Sequence, residues 1–401
     1  ADWHTDMNFL QLCFTKLYST QSGSDQNTLF CDRNVINRRN VKCDVTSAYA
    51  QCRSMFVLAV KARVLAAAMT ILGMTKIDQS PTKNSFPSSL VNGSKTSQKI
   101  YIRSIAEQVV DKYVIDTTAV NSLLNSIVSE QVQEERRRNQ VQTPDGRYPC
   151  RVAGCTKSFK YDGKSRIKHE KTHVQSPQPP HITSSSTNPE STDPNQPEDD
   201  MFNYQCSLLQ HGLLYLNFRD AVAEGDGDRI IRSWKFLLLH FREHSLHSKY
   251  ALEALYLLFQ VNSLLTPRQA HQLVWNRSVN NKGGHGRNVP LDLDLEHDNN
   301  YIKVACKKLG RNLTSQAVTT ICNSSKVSRE VIENFDTESK IRQRSGKHVK
   351  KSESKDLCVL VNKLIEHNSF TKTAGRTYRY FHHFPRSHIK DKHVISTSMD
   401  Q

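Results

Sequence analysis

The chain has 401 residues, a net charge of +16 at pH 7 and a hydrophobic content of 37%. This length and apolar content suffice for two or three domains with cores of their own, and the basic excess favours an anionic partner, most simply nucleic acid. Outside one Cys pair the ten cysteines show no paired spacing. That argues against a disulfide framework and for reduced thiols inside the cell.

The chain starts with Ala-Asp-Trp-His, without a methionine or a charged-then-apolar leader. We therefore expect no secretory signal, and either a processed product or the C-terminal piece of a longer protein. The most apolar stretch, residues 57–74, is interrupted by Lys61 and Arg63. Its uncharged run is shorter than the roughly 20 residues that a bilayer requires. We predict a core helix there and no membrane contact.

Apolar periodicity predicts three segments before the Cys pair. Residues 1–78 read as mostly helical, and residues 79–97, rich in Ser, Pro, Asn and Lys, read as a loop. Helical periodicity then returns over residues 98–140, with Asp116 as an N-cap. No region is rich in predicted strands, so the sequence favours a mainly α fold.

Four residues have the spacing of a metal site: Cys150, Cys155, His169 and His173. Two thiolates from a short turn and two imidazoles one helical turn apart can close a tetrahedral Zn²⁺ site. Protein fills all four positions, so the metal is expected to be structural. The pattern predicts a ββα C2H2 zinc finger over residues 146–174.

The pattern departs from the usual finger in two places. Thirteen residues rather than twelve separate the second Cys from the first His, and Arg166 stands where a leucine is usual. We expect a one-residue bulge at the start of the helix. Through it, Ile167 would replace the leucine and pack against Phe159 and Tyr148.

The finger segment, residues 147–173, is strongly basic. Lys and Arg residues outnumber the two acids, Asp162 and Glu170. The basic residues are Arg147, Arg151, Lys157, Lys160, Lys164, Arg166, Lys168 and Lys171. This surplus suits contact with phosphates, and Lys164, Arg166 and Lys168 are the candidate nucleic-acid-binding residues.

The positions that usually face bases are Asp162, Ser165 and Lys168. One finger covers roughly three base pairs, and no second finger or usual inter-finger linker follows His173. Binding to nucleic acid should therefore be weak and of low specificity. A purely structural or protein-contact finger is the alternative.

After the finger, six of the thirteen prolines fall in a stretch that we predict to be a disordered linker, residues 175–200. Residues 201–335 read as a helical domain that folds without zinc, with a capping box at 266–269. The sequence predicts that residues 336–401 form a basic tail, whose composition is compatible with nuclear import or phosphate contact. The alternative is that its basic residues are the solvated surface of a helix.

Several segments together resemble a family of predicted invertebrate proteins, frequent in corals and sea anemones. In that family a single C2H2 finger precedes a C-terminal domain of unknown function. The resemblance runs from residue 2 to about residue 380. It is carried by Asp2-Trp3-His4 with Asn8-Phe9-Leu10, the run Asp32 to Val41, Gly146-Arg147-Tyr148-Pro149-Cys150, Glu224 to Arg229, Lys249 to Leu255, and Pro290 to Leu293 with Leu295-Glu296-His297.

Members of that family look like relatives of mobile-element proteins. Ribonuclease-H-type transposases hold two metal ions with three acids. The resemblance implies Asp2 as the second acid and Glu296 as the third, with the first upstream of residue 1. Glu253 and the acids of residues 224–228 compete with Glu296. On the plainer interpretation, Asp2 and Glu296 are helix-capping and surface acids.

The sequence thus favours a zinc-binding, nucleic-acid-associated, non-catalytic protein of the nucleus, and a transposon-derived origin is one interpretation of the resemblance. The alternative is the C-terminal fragment of a ribonuclease-H-type metal-dependent transposase. The sequence indicates no particular protein partner.

Overall fold

The computed structural model describes residues 2–91, 93–115, 129, 145–152, 154–161, 163–173, 198–243, 247–281, 283–341 and 353–386. The chain divides into two compact units. Residues 1–114 and 197–401 form the first, called here the helical unit. Residues 115–196 form the second, called here the insert.

The described residues are mainly helical, as the sequence predicts. Of the helices whose bounds are given next, α6 lies in the insert and the others lie in the helical unit. The helices are α1 (Asp2–Leu17), α2 (Leu29–Val35), α3 (Tyr49–Leu72), α4 (Ser88–Val91), α5 (Lys95–Val109), α6 (Lys164–Thr172), α7 (Asp200–Glu224), α8 (Gly227–Glu243), α9 (Ser248–Phe259), α10 (Pro267–Trp275), α11 (Leu291–Leu309), α12 (Ser315–Glu338) and α13 (Glu353–Glu366).

The strands of the described residues form two short antiparallel hairpins. In the insert, β1 (Tyr148–Pro149) pairs with β2 (Ser158–Phe159). In the helical unit, β3 (Ser278–Val279) pairs with β4 (Val289–Pro290), directly before α11. The strands are too short to contribute a sheet, so helix packing forms the core.

The helix ends follow local sequence signals. The capping box predicted before α10 is confirmed, since Thr266 accepts from the Gln269 N–H and the Gln269 side chain accepts from the Thr266 N–H. Helix α3 ends at Gly73, which has a left-handed φ of 65°. Asp199 caps α7 by accepting from the Phe202 N–H. These caps satisfy backbone groups that a helix end leaves without partners.

Helix α3 is the core helix that the sequence predicts. Residues Thr46–Leu72 are long and apolar enough to cross a membrane by length and composition, and 61% of their most apolar window is buried inside the protein. The helix packs against α7 so closely that a Cβ built on Gly212 of α7 would lie 2.3 Å from a methyl carbon of Val60. A glycine is therefore required at this crossing.

Helix α7 is buried on more than one face. Residues 204–209 of this helix are all buried, whereas a surface helix buries one stripe. Its side chains join two apolar clusters. One contains Phe9, Phe56 and Phe241, and the other contains Leu364.

The two clusters contain residues from segments that the sequence predicts to be separate. Residues expected in the 1–78 region, in the 201–335 domain and in the 336–401 tail contribute to the same cores. Helices α1 and α3 pack against α7 and cover faces that it would otherwise expose to water.

The described part of the predicted basic tail is largely folded. Helix α13 buries Leu360, Val361 and Leu364 against α3 and its neighbours. The chain after it buries aromatic side chains in both clusters: Phe370, Tyr378, Phe381 and Phe384. Residues 342–352 and 387–401 lie outside the described residues, as do most of the 98–140 helix after residue 115 and residues 175–197 of the predicted linker. The last linker residues, 199 and 200, are described and form the N-cap and first residue of α7.

Three aspartates hold this C-terminal segment by accepting hydrogen bonds. Asp25 accepts from the backbone N–H groups of residues 379, 380 and 381 at 2.9, 3.0 and 3.2 Å. Asp200 accepts from the N–H groups of residues 378 and 384, both at 2.9 Å. Asp199 pairs with Arg376 at 2.5 Å. The carboxylates thus replace the backbone partners that a helix or sheet would supply.

A buried polar network joins α2, α3 and α7. Arg63 is fully buried, and its guanidinium donates to Asp32 at 2.7 Å, to Gln205 at 2.8 Å and to the Asn27 carbonyl at 2.5 Å. Burial raises the pKa of Asp32, and the neighbouring Arg63 charge opposes that rise. The network satisfies a charge that would be very costly alone in the core.

Candidate metal centre

The hairpin of the insert positions the two cysteines. Cys150 follows β1 directly, and its N–H donates to the Lys157 carbonyl at 2.8 Å. The Cys155 N–H donates to the Val152 carbonyl at 3.2 Å, which closes the turn between them. Both Sγ atoms therefore reach the same side of the hairpin.

Helix α6 brings the two histidines to the cysteines. His169 lies in its last turns, and His173 is its C-cap, one helical turn later. The two Nε2 atoms are 3.0 Å apart, and Cys155 Sγ lies 3.3 Å from His169 Nε2. The ring of Phe159, from β2, lies 5.4 Å from that of His169 and packs beside the cluster.

The four ligand atoms of Cys150, Cys155, His169 and His173 all lie within 4.8 Å of one another. In the part of the chain that the structure describes, no other group of three or more His, Cys, Asp or Glu residues comes so close. Desolvation lowers the pKa of His169, and the nearby His173 and Lys157 charges add to that effect. A neutral imidazole and a thiolate are the forms that bind a metal ion.

Arg166, not Ile167, fills the place of the usual leucine. Arg166 is fully buried, with its guanidinium 5.8 Å from the centre of the Tyr148 ring and its Nε 3.2 Å from Glu170. Ile167 is 46% exposed, so the expectation that it packs inside was wrong. The arginine stem supplies apolar surface while Glu170 compensates its charge.

The same burial corrects one proposed nucleic-acid contact. Arg166 has no exposed surface, so a phosphate cannot reach it without disrupting the insert. Glu170 contacts both Arg166 and Arg151. It forms an ion pair with Arg166 and accepts a hydrogen bond from the Arg151 N–H at 3.0 Å. The sequence alone did not predict this role. The signal for this role was the i, i+4 spacing of Arg166 and Glu170.

The remaining basic candidates are exposed. Lys164, Lys168 and Lys171 follow the i, i+4, i+7 pattern of one helix face, and all three are exposed. Helical periodicity places this face on the side of α6 away from His169 and His173. The lysines thus form a stripe, called here the lysine stripe, on the face of α6 opposite the two histidine ligands.

Of the positions expected to face bases, Ser165 and Lys168 are exposed on α6. Asp162 lies outside the described residues.

The first of the two acids that resemblance implied for catalysis is engaged in the fold. Asp2 is 3% exposed and begins α1 rather than ending a strand. Its carboxylate accepts from Arg277 at 2.6 and 2.8 Å and from the Trp234 indole at 3.2 Å. This environment is that of a buried ion pair.

The second acid, Glu296, is exposed on α11. One helical turn before it, Asp292 accepts from the backbone N–H groups of Trp3 and His4, both at 3.1 Å, and from the His4 ring at 2.9 Å. These bonds hold the start of α11 against the start of α1. The competing acids are placed elsewhere: Glu224 pairs with His285 at 2.8 Å, and Glu253 is exposed on α9.

Comparison with known proteins places the chain in a family. No curated protein and no solved structure matches it. A family model described as a family of unknown function, DUF6589, matches residues 1–348. This match includes the insert and the helical unit up to the segment before α13. Since it covers most of the 401 residues, the chain belongs to the DUF6589 family.

Proposed function

We propose that residues 146–174 form a C2H2 zinc finger and that the protein is a zinc-binding, nucleic-acid-associated protein without catalysis of its own. The observation that carries this proposal is the convergence of two cysteine sulfurs and two histidine nitrogens within 4.8 Å. The hairpin β1–β2 followed by α6 has the order of elements that such a finger requires.

The donor set fits Zn²⁺. Two thiolates and two imidazoles are the usual tetrahedral set of structural zinc sites, and no position is left for a reactive water. A cation between the two imidazole nitrogens also accounts for their approach to 3.0 Å. Among the described residues of the insert, only Cys150 is a buried apolar residue, so metal binding would supply most of the folding free energy of this segment.

The first prediction concerns zinc content. We expect the purified chain to hold one tightly bound zinc ion and the Cys155→Ala variant to lose it, because three ligands bind zinc far more weakly than four. Elemental analysis after gel filtration measures this. Cys322→Ala, which removes an exposed cysteine from α12, is the matched control and should retain zinc. Full retention by Cys155→Ala would reject the site.

The lysine stripe supports the nucleic-acid part of the proposal. Its three exposed ammonium groups are part of a net charge of +16. The stripe lies on the face of α6 opposite the histidine ligands. Such groups bind phosphates and release counterions, whatever the base sequence. The proposed partner is therefore DNA or RNA bound weakly through its backbone, within the nucleus.

The second prediction is the salt dependence of that binding. Replacing the lysine stripe, Lys164, Lys168 and Lys171, by alanine should flatten the slope of log affinity against log salt by up to about 3, since each lost phosphate contact removes about 0.9 from the slope for duplex DNA. Fluorescence anisotropy with a labelled random-sequence duplex across a salt series measures the slope.

A control with the same change in charge separates the stripe from net charge. Lys303, Lys307 and Lys308 are exposed on α11, and their replacement by alanine should leave the slope nearly unchanged. Equal slopes for the stripe variant and the parent chain would contradict the proposed interface. So would strong preference for one base sequence.

The transposase fragment is a second candidate, favoured by one observation. The contact of Asp292 with Trp3 and His4 sets α11, which carries Glu296, beside the helix that begins with Asp2. One observation argues against this candidate: the Asp2 carboxylate already accepts hydrogen bonds from Arg277 and Trp234. Two separated carboxylates without a third acid hold two metal ions poorly.

The third prediction distinguishes this candidate. We expect the purified chain to leave supercoiled DNA intact in the presence of Mg²⁺ or Mn²⁺, because Asp2 is committed to its ion pair with Arg277. Agarose electrophoresis of the plasmid after incubation measures nicking. Metal-dependent nicking that is lost in the Glu296→Gln variant, while DNA binding persists, would contradict the proposed function and support the transposase fragment.

A further inference from the structure

The helical unit contains a cavity that the finger does not involve. It has a volume of about 390 Å³ and lies between α1, α3, α7 and the chain that leads from β4 into α11. This size falls at the lower end of the range of small-molecule sites. Its apolar walls come from Trp3, Phe218, Val222, Val289 and Leu293.

Two arginines line the same cavity. Arg219 Nε lies 3.7 Å from an Asp6 oxygen, too far for a good hydrogen bond, and the guanidinium of Arg53 lies 5.4 Å from the centre of the Tyr49 ring. Arg219 thus forms a long ion pair with Asp6, and among the described residues neither guanidinium lies at hydrogen-bond distance from a carboxylate. Both forks therefore keep donors for an anion.

A buried acceptor faces the arginines. Asp6 is 7% exposed and lines the cavity, and one of its oxygens accepts from the Tyr49 hydroxyl. Its other oxygen, Oδ1, lies 3.7 Å from Arg219 Nε and near the Tyr215 hydroxyl, but it has no partner among the described residues at hydrogen-bond distance. A ligand N–H would give this oxygen the hydrogen bond that Arg219 is too distant to supply.

We propose that this cavity binds a single nucleotide. The phosphate would lie against Arg53 and Arg219, and the base would lie between the apolar walls and donate an N–H to Asp6. A phosphate alone does not need the apolar walls, and an apolar ligand alone does not need the two guanidiniums. The ligand is either a free nucleotide or the 5′-terminal nucleotide of a strand, since both present the same groups.

This inference stands apart from the proposed finger. Every residue in it belongs to the helical unit, whereas the zinc ligands belong to the insert. Loss of zinc binding would leave the nucleotide site standing, and absence of nucleotide binding would leave the finger standing.

The test is isothermal titration of the full zinc-loaded chain with the four nucleoside 5′-monophosphates. We expect saturable binding of at least one of them, and binding at least about tenfold weaker for the matching nucleoside and for inorganic phosphate. A 5′-phosphorylated trinucleotide with the same first base distinguishes the sources. Tighter binding than the mononucleotide assigns the site to a strand end, and weaker binding assigns it to a free nucleotide.

Variants test the assignment of groups. Arg219→Gln and Arg53→Gln should each weaken nucleotide binding at least about tenfold without affecting the nucleoside, because they remove phosphate contacts. Ala223→Leu should block both ligands by filling the cavity that Ala223 lines. The control, Arg103→Gln, alters an exposed arginine on α5 and should bind as the parent does.

Two results would overturn the proposal. One is the absence of saturable binding by all four monophosphates to the folded parent chain. The other is binding that Arg219→Gln, Arg53→Gln and Ala223→Leu leave unchanged, because the ligand would then lie elsewhere. Circular dichroism of each variant ensures that a loss of binding is scored only on folded protein.

Discussion

Replacing Arg63 by alanine is expected to destabilise the helical unit by about 3–5 kcal/mol, because removal of one partner leaves a buried charge without compensation. Asp32 is 3% exposed, and Arg63 donates to it at 2.7 Å. The same change removes the donor of the Gln205 side-chain oxygen and one of the two donors of the Asn27 carbonyl, which keeps the Gln205 amide at 3.2 Å. The loss is a large part of the roughly 5–15 kcal/mol that stabilises a typical domain.

Urea denaturation followed by circular dichroism measures this loss. Lys61→Ala is the matched control, since Lys61 lies on the same helix, is 52% exposed and pairs with Glu353 at only 3.7 Å. An exposed pair of this kind contributes at most about 1 kcal/mol. Equal destabilisation by the two variants would show that the network has no special role.

Removing residues 349–401 is expected to abolish cooperative folding of the helical unit. A chain ending at residue 348 matches the extent of the family model but lacks α13 and the aromatic segment after it. Each apolar side chain that leaves the core costs about 1.5–3 kcal/mol. Seven such side chains are lost: Leu360, Val361, Leu364, Phe370, Tyr378, Phe381 and Phe384.

The sum exceeds about 10 kcal/mol, comparable with the whole stability of a typical domain. Thermal unfolding by circular dichroism should show a broad, non-cooperative change for the shortened chain. A chain ending at residue 386 keeps every contact described here and should unfold as the parent does. Cooperative unfolding of the 1–348 chain at an unchanged temperature would contradict this role for α13.

Local signals in the sequence predicted local structure well. The capping box at Thr266, the helical class and the core character of α3 all depend on residues within a few turns of one another. The Cys and His set likewise lies within 24 residues, Cys150 to His173, so its spacing alone restricts how the ligand atoms can meet.

Predictions that needed knowledge of distant neighbours were less successful. The basic composition of residues 340–355 indicated a tail, yet a few residues later Leu360, Val361 and Leu364 enter a core formed with α3 and α7. The number of charged residues in a segment indicates how much of it favours water. It does not predict which of its faces a distant segment will cover. The 201–335 segment illustrates the same point, because its helix α7 shares both clusters with residues outside that segment.

Arg166, in the insert, shows that the charge of a residue does not by itself predict whether its side chain is exposed. Its charge predicted a phosphate contact, whereas the ring of Tyr148 and the carboxylate of Glu170 make a buried position acceptable. An arginine with an apolar stem suits either environment, and only the packing of hairpin on helix decides between them.

The sequence by itself determined the ligand set of the candidate metal centre and the helical character of the chain, because both follow from periodicity and short spacing. Only the tertiary structure decided that α7 is shared between two clusters and that Arg53, Arg219 and Asp6 line one cavity. Those residues lie on three helices far apart in the chain. Their proximity results from the burial of apolar faces, which joins distant segments without any local pattern to mark the site.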